Sequence, residues 1–221
     1  AKENVSDKSV LSYGVPEFNI EEGLTAIEFE GISYSVSVFG RHNLANLEGA
    51  RAVCELLGVQ ASDFYRFAGS FKGAGRRMEL VVADSSRAIY RDFAHSPSKL
   101  KATIAAVKEQ FPDRKLIGVL ELHTYSSLNE AFMKEYDGAL EKADVAIVFY
   151  SKHALQIKVL PELPESYVVE GFDKKGLLVM TDKNELEQWL RVQDYSNTNL
   201  VLMSSGNYDG IDLPSFAPTL I

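Results

Sequence analysis

The sequence predicts an α/β protein whose C-terminal part, residues 87–221, is a doubly wound, mostly parallel sheet. Three observations carry this. From residue 87 onward strand-like and helix-like runs alternate, the signature of a parallel sheet with right-handed crossovers. Runs such as Val145-Ala146-Ile147-Val148-Phe149 are apolar throughout, as expected of strands covered on both faces. Polar clusters stand where strands end and helices begin, the edge at which open α/β sheets bind ligands.

The N-terminal part reads differently. Val10–Tyr13 and Leu24–Phe29 read as strands, and Ile32–Val38 alternates apolar and polar with period two. Glu30-Gly31 is a hairpin turn between the last two. From Asn43 the period becomes helical, with Leu44, Leu47, Ala50, Val53, Cys54 and Leu57 on one face and Gly58 as the stop. Ser62 opens a short helix holding Phe64, Tyr65 and Phe67. The glycine-rich run 69–77 is a basic connector, followed by strands at Met78–Val82 and Ala88–Tyr90 about a turn at 84–86. Next come a helix over Lys99–Gln110, a strand over Leu116–Leu120, a helix over Asn129–Glu141 and the strand Val145–Tyr150. A loop with Pro161 and Pro164 leads to the strand Gly176–Met180, the helix Lys183–Arg191 and the strand Leu200–Met203.

Composition narrows the function. With 221 residues, 46% of them hydrophobic, the chain can bury a real core. A formal net charge of -8 argues against a broad nucleic-acid surface, which needs a basic field. The single cysteine, Cys54, forbids an internal disulfide, fits a reducing compartment and reads as a core residue. No apolar run approaches the ~20 residues of a membrane span, and no apolar signal region opens the chain. A cytoplasmic location follows as the expectation.

Several chemistries find no support. The glycine-rich connector has no Gly-Lys-Ser/Thr and no strand-to-helix context, so it is not a phosphate loop. His42, His95, His123 and His153 make no metal-ligand spacing, so no metal site is expected. No Gly-x-Ser-x-Gly elbow is present. Three clusters remain: Gly40–Asn46, with Asn43 and Asn46 one turn apart; Asp92–Pro97; and Glu121–Ser127. Read structurally, Asn43 would cap its helix, and Ser96 would cap the next with Pro97 in its first turn. Arg76 and Arg77 read equally as solvated charges or as phosphate contacts, the latter because a guanidinium is a planar bidentate fork. The second and third clusters lie on one sheet edge, which favours a binding role.

These clusters, in this order, resemble the ATP-dependent Mur ligases of peptidoglycan metabolism. That family shows Gly-x-His-Asn-x-x-Asn, then Phe-x-Gly-x-x-Arg-Arg-hydrophobic-Glu, then Asp-aromatic-Ala-His-x-Pro. The chain has Gly40-Arg41-His42-Asn43-Leu44-Ala45-Asn46, Phe71–Glu79 with both Arg76 and Arg77, and Asp92-Phe93-Ala94-His95-Ser96-Pro97. Its tail, Leu202–Ile211, looks like the Met-Ser-Asn-Gly-x-x-Gly-Gly ending of murein peptide ligases. The third cluster keeps His123 of the UDP-N-acetylmuramate–L-alanine ligase pattern but neither of its arginines. It keeps Glu121 of the murein peptide ligase pattern but again no arginine. Folylpolyglutamate synthetase-like enzymes are a further relative without the tail motif.

The resemblance implies a Rossmann-like C-terminal domain over 87–221, a junction over 73–86, and the truncated α/β end of a central domain over 1–72. It implies a ligase that uses ATP and Mg²⁺ to phosphorylate a carboxylate of a UDP-N-acetylmuramate substrate. The amine of a peptide or amino acid then attacks the acyl phosphate. By matched position, Asn43, Asn46, Arg77, Asp92, Phe93 and His95 would bind the nucleotide. His123, Thr124, Ser126, Ser127, Ser204, Ser205 and Asn207 would face the incoming peptide. The family's Gly-Lys-Thr-Thr loop and its magnesium ligands are not in these residues. No catalytic residue is therefore expected here, the chain alone is expected to be inactive, and an exposed strand edge in 1–23 could pair with another chain. The other reading is a non-catalytic α/β module that binds a nucleotide or a partner.

Overall fold

In a computed structural model of the chain, the described residues are 10–221. They form two compact units that divide between Lys72 and Gly73.

The first unit holds an antiparallel sheet of β1 (Phe18–Glu21), β2 (Leu24–Phe29) and β3 (Ile32–Val36) in that order. Both turns are Glu-Gly pairs with positive φ: 51° and 76° at Glu22-Gly23, 52° and 78° at Glu30-Gly31. Two successive left-handed residues give the turn whose twist matches that of the strands. The strand expected at Val10–Tyr13 does not form; residues 10–17 are irregular, and the first strand is Phe18–Glu21. With four residues it shows only two alternations, too few to separate from a loop.

Helix α1 (Arg41–Leu56) ends in a double bond pattern: Val59 N–H donates to Cys54 O at 3.0 Å and Gly58 N–H to Glu55 O at 2.9 Å. Gly58, at φ 88°, supplies the left-handed residue this stop requires. Only the first half of the expected apolar face is core. Leu44 and Leu47 are buried with Ile27, Val36 and Tyr65, while Ala50, Val53 and Leu57 are exposed and Cys54 is half-buried. The hydrophobic cluster of this unit simply does not extend under the last turns. Helix α2 (Ala61–Ala68) sends Tyr65 into the cluster and leaves Phe67 exposed. The Tyr65 hydroxyl donates to the buried Glu48 carboxylate, which also takes a bond from Arg51 Nε at 3.0 Å. Burial first, then Glu48, holds the Tyr65 phenol well above its ordinary pKa.

The second unit is a six-stranded sheet. Its strands are β4 (Glu79–Ala83), β5 (Ala88–Asp92), β6 (Lys115–Glu121), β7 (Val145–Phe149), β8 (Leu178–Met180) and β9 (Thr198–Met203). The spatial order is β4-β5-β9-β6-β7-β8, with β4 antiparallel to β5 and the rest parallel. The chain leaves β5, skips one place to build β6, β7 and β8, and returns with β9 to fill the gap. The carboxyl ends of β5, β9 and β6 are therefore neighbours at the point where strand order reverses.

Both faces are covered. Ile89, Val119, Leu200 and Leu202 pack with Leu186 and Leu190 of α6 (Lys183–Arg191) and with the tail residues Tyr208, Ile211 and Phe216. On the other face lies α3 (Pro97–Gln110), so close that a Cβ on Gly118 would stand 2.8 Å from Ile104 Cδ1. Ser96 and Pro97 take the N-cap and first positions of α3 as expected, but no side chain caps it.

The helix expected over Asn129–Glu141 is instead a 3-10 turn, Glu130–Tyr136, followed by short turns. Gly138 at φ 65° breaks the helical run. Two helices were not legible in the proline loop: α4 (Lys152–Ile157) and α5 (Glu165–Phe172), the latter with Pro164 at its N-cap. A short α7 (Leu213–Phe216) closes the tail. Among the described residues no helix is long and apolar enough to cross a membrane.

Candidate functional site

The end of β5 is organised by Asp92. It is 7% exposed, and its two carboxylate oxygens are engaged inside this unit. Oδ2 accepts the Met78 amide at 2.6 Å; Oδ1 accepts the Ala94 amide at 2.7 Å and the Thr103 hydroxyl at 3.3 Å. Arg76 O takes the Phe93 amide at 2.7 Å. Arg76 and Met78 have φ of 57° and 47°, a left-handed conformation that L residues adopt only when their surroundings hold them there. Asp92 thus ties the 76–78 segment to the sheet edge.

Outside this anchor stand Arg77, Phe93 and His95. The Arg77 guanidinium lies 5.5 Å from the centre of the Phe93 ring, and Phe93 meets His95 edge-on at 5.3 Å. His95 Nδ1 is 2.9 Å from Phe93 O. Tyr136 donates to His95 O at 2.6 Å, its phenol pushed up to about 12 by burial and so a donor throughout the neutral range. A cation, an aromatic face and an imidazole are gathered on one surface. That set suits an aromatic ring bearing an anionic group.

The end of β6 is organised by Glu121, which is 2% exposed. It accepts the Ser204 hydroxyl and, at 2.9 Å, the Tyr208 amide. His123 Nδ1 lies 3.6 Å from its other oxygen. The Gly206 amide donates to Ser204 Oγ at 2.6 Å. Gly206 has no room for a side chain: a Cβ would stand 2.7 Å from the His123 ring and 2.8 Å from Glu121 Oε2. Tyr208 and Asp209 are left-handed at 52° and 56°. Tyr208 is held in that state by its amide bond to Glu121 and by its hydroxyl, 3.0 Å from both Val119 O and Met203 O. Burial and the Glu121 carboxylate keep that phenol well above its ordinary pKa.

The expected substrate-facing residues divide into two groups. Thr124, Ser126 and Ser127 are bonded among themselves: Thr124 Oγ1 lies 3.1 Å from Ser126 Oγ and 3.0 Å from Ser127 Oγ, and accepts the Ser127 amide at 3.1 Å. They shape the loop. Ser204 is consumed by Glu121. His123 and Asn207 reach the surface, and Ser205 Oγ is buried with no partner among the described residues. A cavity of about 330 Å³ opens beside this loop, between Arg76, Arg91, Asp92, Ser204 and Asn207. Its lining runs from the end of β5 to the 204–214 tail of the second unit, and Arg77, Phe93, His95 and His123 stand outside it.

Asn43 and Asn46 lie in the first unit. Asn43 does not cap α1; Gly40 holds the N-cap, and Asn43 donates back to Phe39 O at 2.9 Å. Asn46 is exposed one turn further on. Glu121, Gly206 and Tyr208 are the site residues that sequence reading left out of the binding set. Glu121 carried one signal, a lone carboxylate ending an apolar strand.

A family described as "Mur ligase, glutamate ligase domain" matches residues 76–206. The chain belongs to this Mur ligase family. The match takes in both organised edges up to Gly206, and Asn207 and Tyr208 follow directly after it. A UDP-N-acetylmuramate–L-alanine ligase of Halorhodospira halophila is 36% identical over 121 residues, 52% of this chain and 24% of that protein. One from Francisella tularensis is 24% identical over 222 residues, 94% of this chain and 48% of its own length. The chain thus spans about a quarter to a half of the length of these curated relatives. Among solved structures, the UDP-N-acetylmuramate-alanine ligase of Thermotoga maritima aligns over 92% of this chain and 44% of its own, with a TM-score of 0.65 and 18% identity. A murein peptide ligase of Psychrobacter arcticus aligns over 96% and 43%, with a TM-score of 0.57 and 18% identity. These structures share the α/β fold with its mostly parallel sheet.

Arg77, Phe93 and His95 set a cation and an imidazole beside one aromatic ring. Among the described residues no group of three His, Cys, Asp or Glu is placed to hold a metal ion.

Proposed function

We propose that the chain is the C-terminal portion of an ATP-dependent ligase that joins an amino acid or peptide to UDP-N-acetylmuramate. The observation that carries this is the family match across the very segment whose polar ends converge at the strand-order reversal. In this reading Arg77, Phe93 and His95 of the second unit contact the nucleotide. Asp92 keeps the segment carrying Arg77 in register. His123, Ser205 and Asn207 face the incoming amine component, on a loop that Glu121 and Ser204 hold. ATP, when bound to the whole protein, supplies the phosphoryl group that activates a carboxylate. The residues of this chain orient the partner and exclude water, the contributions that dominate in phosphoryl and acyl transfer.

Two acceptors fit. The tail Met203-Ser204-Ser205-Gly206 favours a peptide, through its likeness to murein peptide ligases. The relatives named as L-alanine ligases, together with His123, favour the amino acid. Calorimetric titration of the chain with L-alanyl-γ-D-glutamyl-meso-diaminopimelate, L-alanine and ADP separates them. The expected result is saturable heat with one of the first two and weak or no heat with ADP, because no Gly-Lys-Thr/Ser loop is present. No response to either acceptor would overturn the assignment; micromolar ADP binding would overturn the expectation that this chain alone binds the nucleotide weakly. In the coding sequence upstream of Ala1, a Gly-Lys-Thr/Ser motif is expected.

A further inference from the structure

The end of β6 holds a pair that the proposed function does not use together: the buried carboxylate of Glu121 and the half-exposed ring of His123. Leu122 N–H donates to Phe149 O at 2.8 Å, which carries the β6–β7 pairing one residue past the strand. Glu121 and His123 are two residues apart on this extended stretch, so their side chains rise on one face.

The two carboxylate oxygens of Glu121 are used unequally. Oε2 accepts the Ser204 hydroxyl and, at 2.9 Å, the Tyr208 amide. The Gly206 amide donates to the Ser204 oxygen at 2.6 Å, which leaves the Ser204 hydrogen turned toward Glu121. Oε1 has neither donor. The polar group beside it is His123 Nδ1, 3.6 Å away; the His123 side chain is 35% exposed and that of Glu121 2%. This spacing is longer than a hydrogen bond, so its effect is electrostatic. A lone pair on Nδ1 would be repelled by the carboxylate oxygen, whereas a proton there is attracted. Burial of the carboxylate strengthens the preference, because little water screens it.

The ring is also backed by the chain. A Cβ on Gly206 would stand 2.7 Å from both Cγ and Nδ1 of His123, so the Gly206 backbone lies against the Nδ1 side. With Nδ1 turned to Glu121 and Gly206, Nε2 is the ring nitrogen left for the open side. Among the described residues no hydrogen bond occupies it.

We infer that Glu121 is a positioning residue, which keeps the His123 proton on Nδ1 and so presents Nε2 as a bare nitrogen that accepts an N–H from a ligand. The ligand class is an amine or ammonium nitrogen. A neutral imidazole has one donor and one acceptor nitrogen, and the partner of one decides the other. When Nε2 takes a proton from an ammonium group, the amine keeps its lone pair, and the imidazolium stands beside a carboxylate that stabilises it. That this amine belongs to the incoming amino acid or peptide rests on the proposed function; the arrangement of Glu121 and His123 does not.

The test is the tautomer of His123, read from the ¹⁵N–¹H ring correlations of the whole labelled chain at about pH 9, where an ordinary imidazole is neutral. H123N identifies the signal. The expected spectrum has Nδ1 protonated and Nε2 bare. In E121Q the carboxamide oxygen takes the Ser204 hydroxyl and the Tyr208 amide, so the NH₂ group faces Nδ1. The tautomer should therefore invert, with the proton on Nε2, while the thermal midpoint shows that the variant is folded. A proton on Nε2 in the unaltered chain, or the same tautomer in both proteins, would overturn the inference. On saturation with L-alanine or L-alanyl-γ-D-glutamyl-meso-diaminopimelate, the Nε2 signal should shift and Nδ1 should stay protonated. An acceptor that binds by calorimetry yet leaves Nε2 unmoved would also overturn it. Absence of binding by either acceptor would instead overturn the proposed function, and the tautomer result alone would then decide the role of Glu121.

Discussion

The ends of β5 and β6 solve one problem in two ways. Each strand finishes in a buried carboxylate that accepts bonds from a loop remote in sequence. Asp92 binds two backbone amides and a hydroxyl. Glu121 binds one amide and one hydroxyl. An amide cannot turn away without moving the chain, whereas a serine hydroxyl can rotate. The β5 edge is therefore a rigid tie on the segment carrying Arg77. The β6 edge is an adjustable one, suited to a loop that meets a ligand. Each edge also has a buried tyrosine reaching a backbone carbonyl, Tyr136 to His95 and Tyr208 to Val119 and Met203.

The largest expected effect is at Asp92. D92A strands two amides and should lower stability by about 3 kcal/mol, since each buried unpaired donor costs about 1–3 kcal/mol. E121A should cost about 2 kcal/mol by the same reasoning, because Ser204 can redirect its hydroxyl. Urea unfolding of both variants ranks them, and the reverse order would break the contrast. Limited proteolysis sharpens it: D92A should be cut faster within 73–78, and E121A within 204–210.

G206A comes next, at about 1–2 kcal/mol, because overpacking is relieved only if the half-exposed His123 ring gives way. The ring signal of His123 should move in the same variant. An unchanged thermal midpoint and spectrum would mean that the 204–208 loop is loose.

The tyrosines give a pH signature. The Tyr136 phenol is raised to about 12 by burial. A raised folded value means that the stabilisation is complete below the unfolded pKa of about 10 and is lost as pH rises from there through about 12. Stability should therefore decline over that interval, and Y136F should flatten the decline. Y136F itself should cost about 1 kcal/mol at neutral pH, the net worth of one hydrogen bond.

The smallest effect is at Arg77. Its guanidinium lies against the Phe93 face and is exposed, so R77A should change stability by less than about 0.5 kcal/mol. A larger loss would assign the residue to folding and remove it from the ligand surface.

Much of this was open to a reader of the chain. The alternation from residue 87, the Glu30-Gly31 hairpin and the stop at Gly58 are local signals with local causes. The β5 cluster was visible as a motif. What the loop residues do was not. Ser204 and Thr124 look like ligand contacts in one dimension, but their hydroxyls are consumed within the protein. Helix α5 was hidden by the prolines before it, and the run at 129–141 kept a helical pattern while Gly138 and the close packing of Gly171 forced a tighter turn.

By itself the sequence determined the class of fold, the positions of most strands and the three polar clusters, because period and turn chemistry act between near neighbours. Only the tertiary structure decided which polar groups remain free. That outcome depends on β9 returning between β5 and β6, a placement that brings Glu121 to Ser204 and Tyr208 across more than eighty residues of chain.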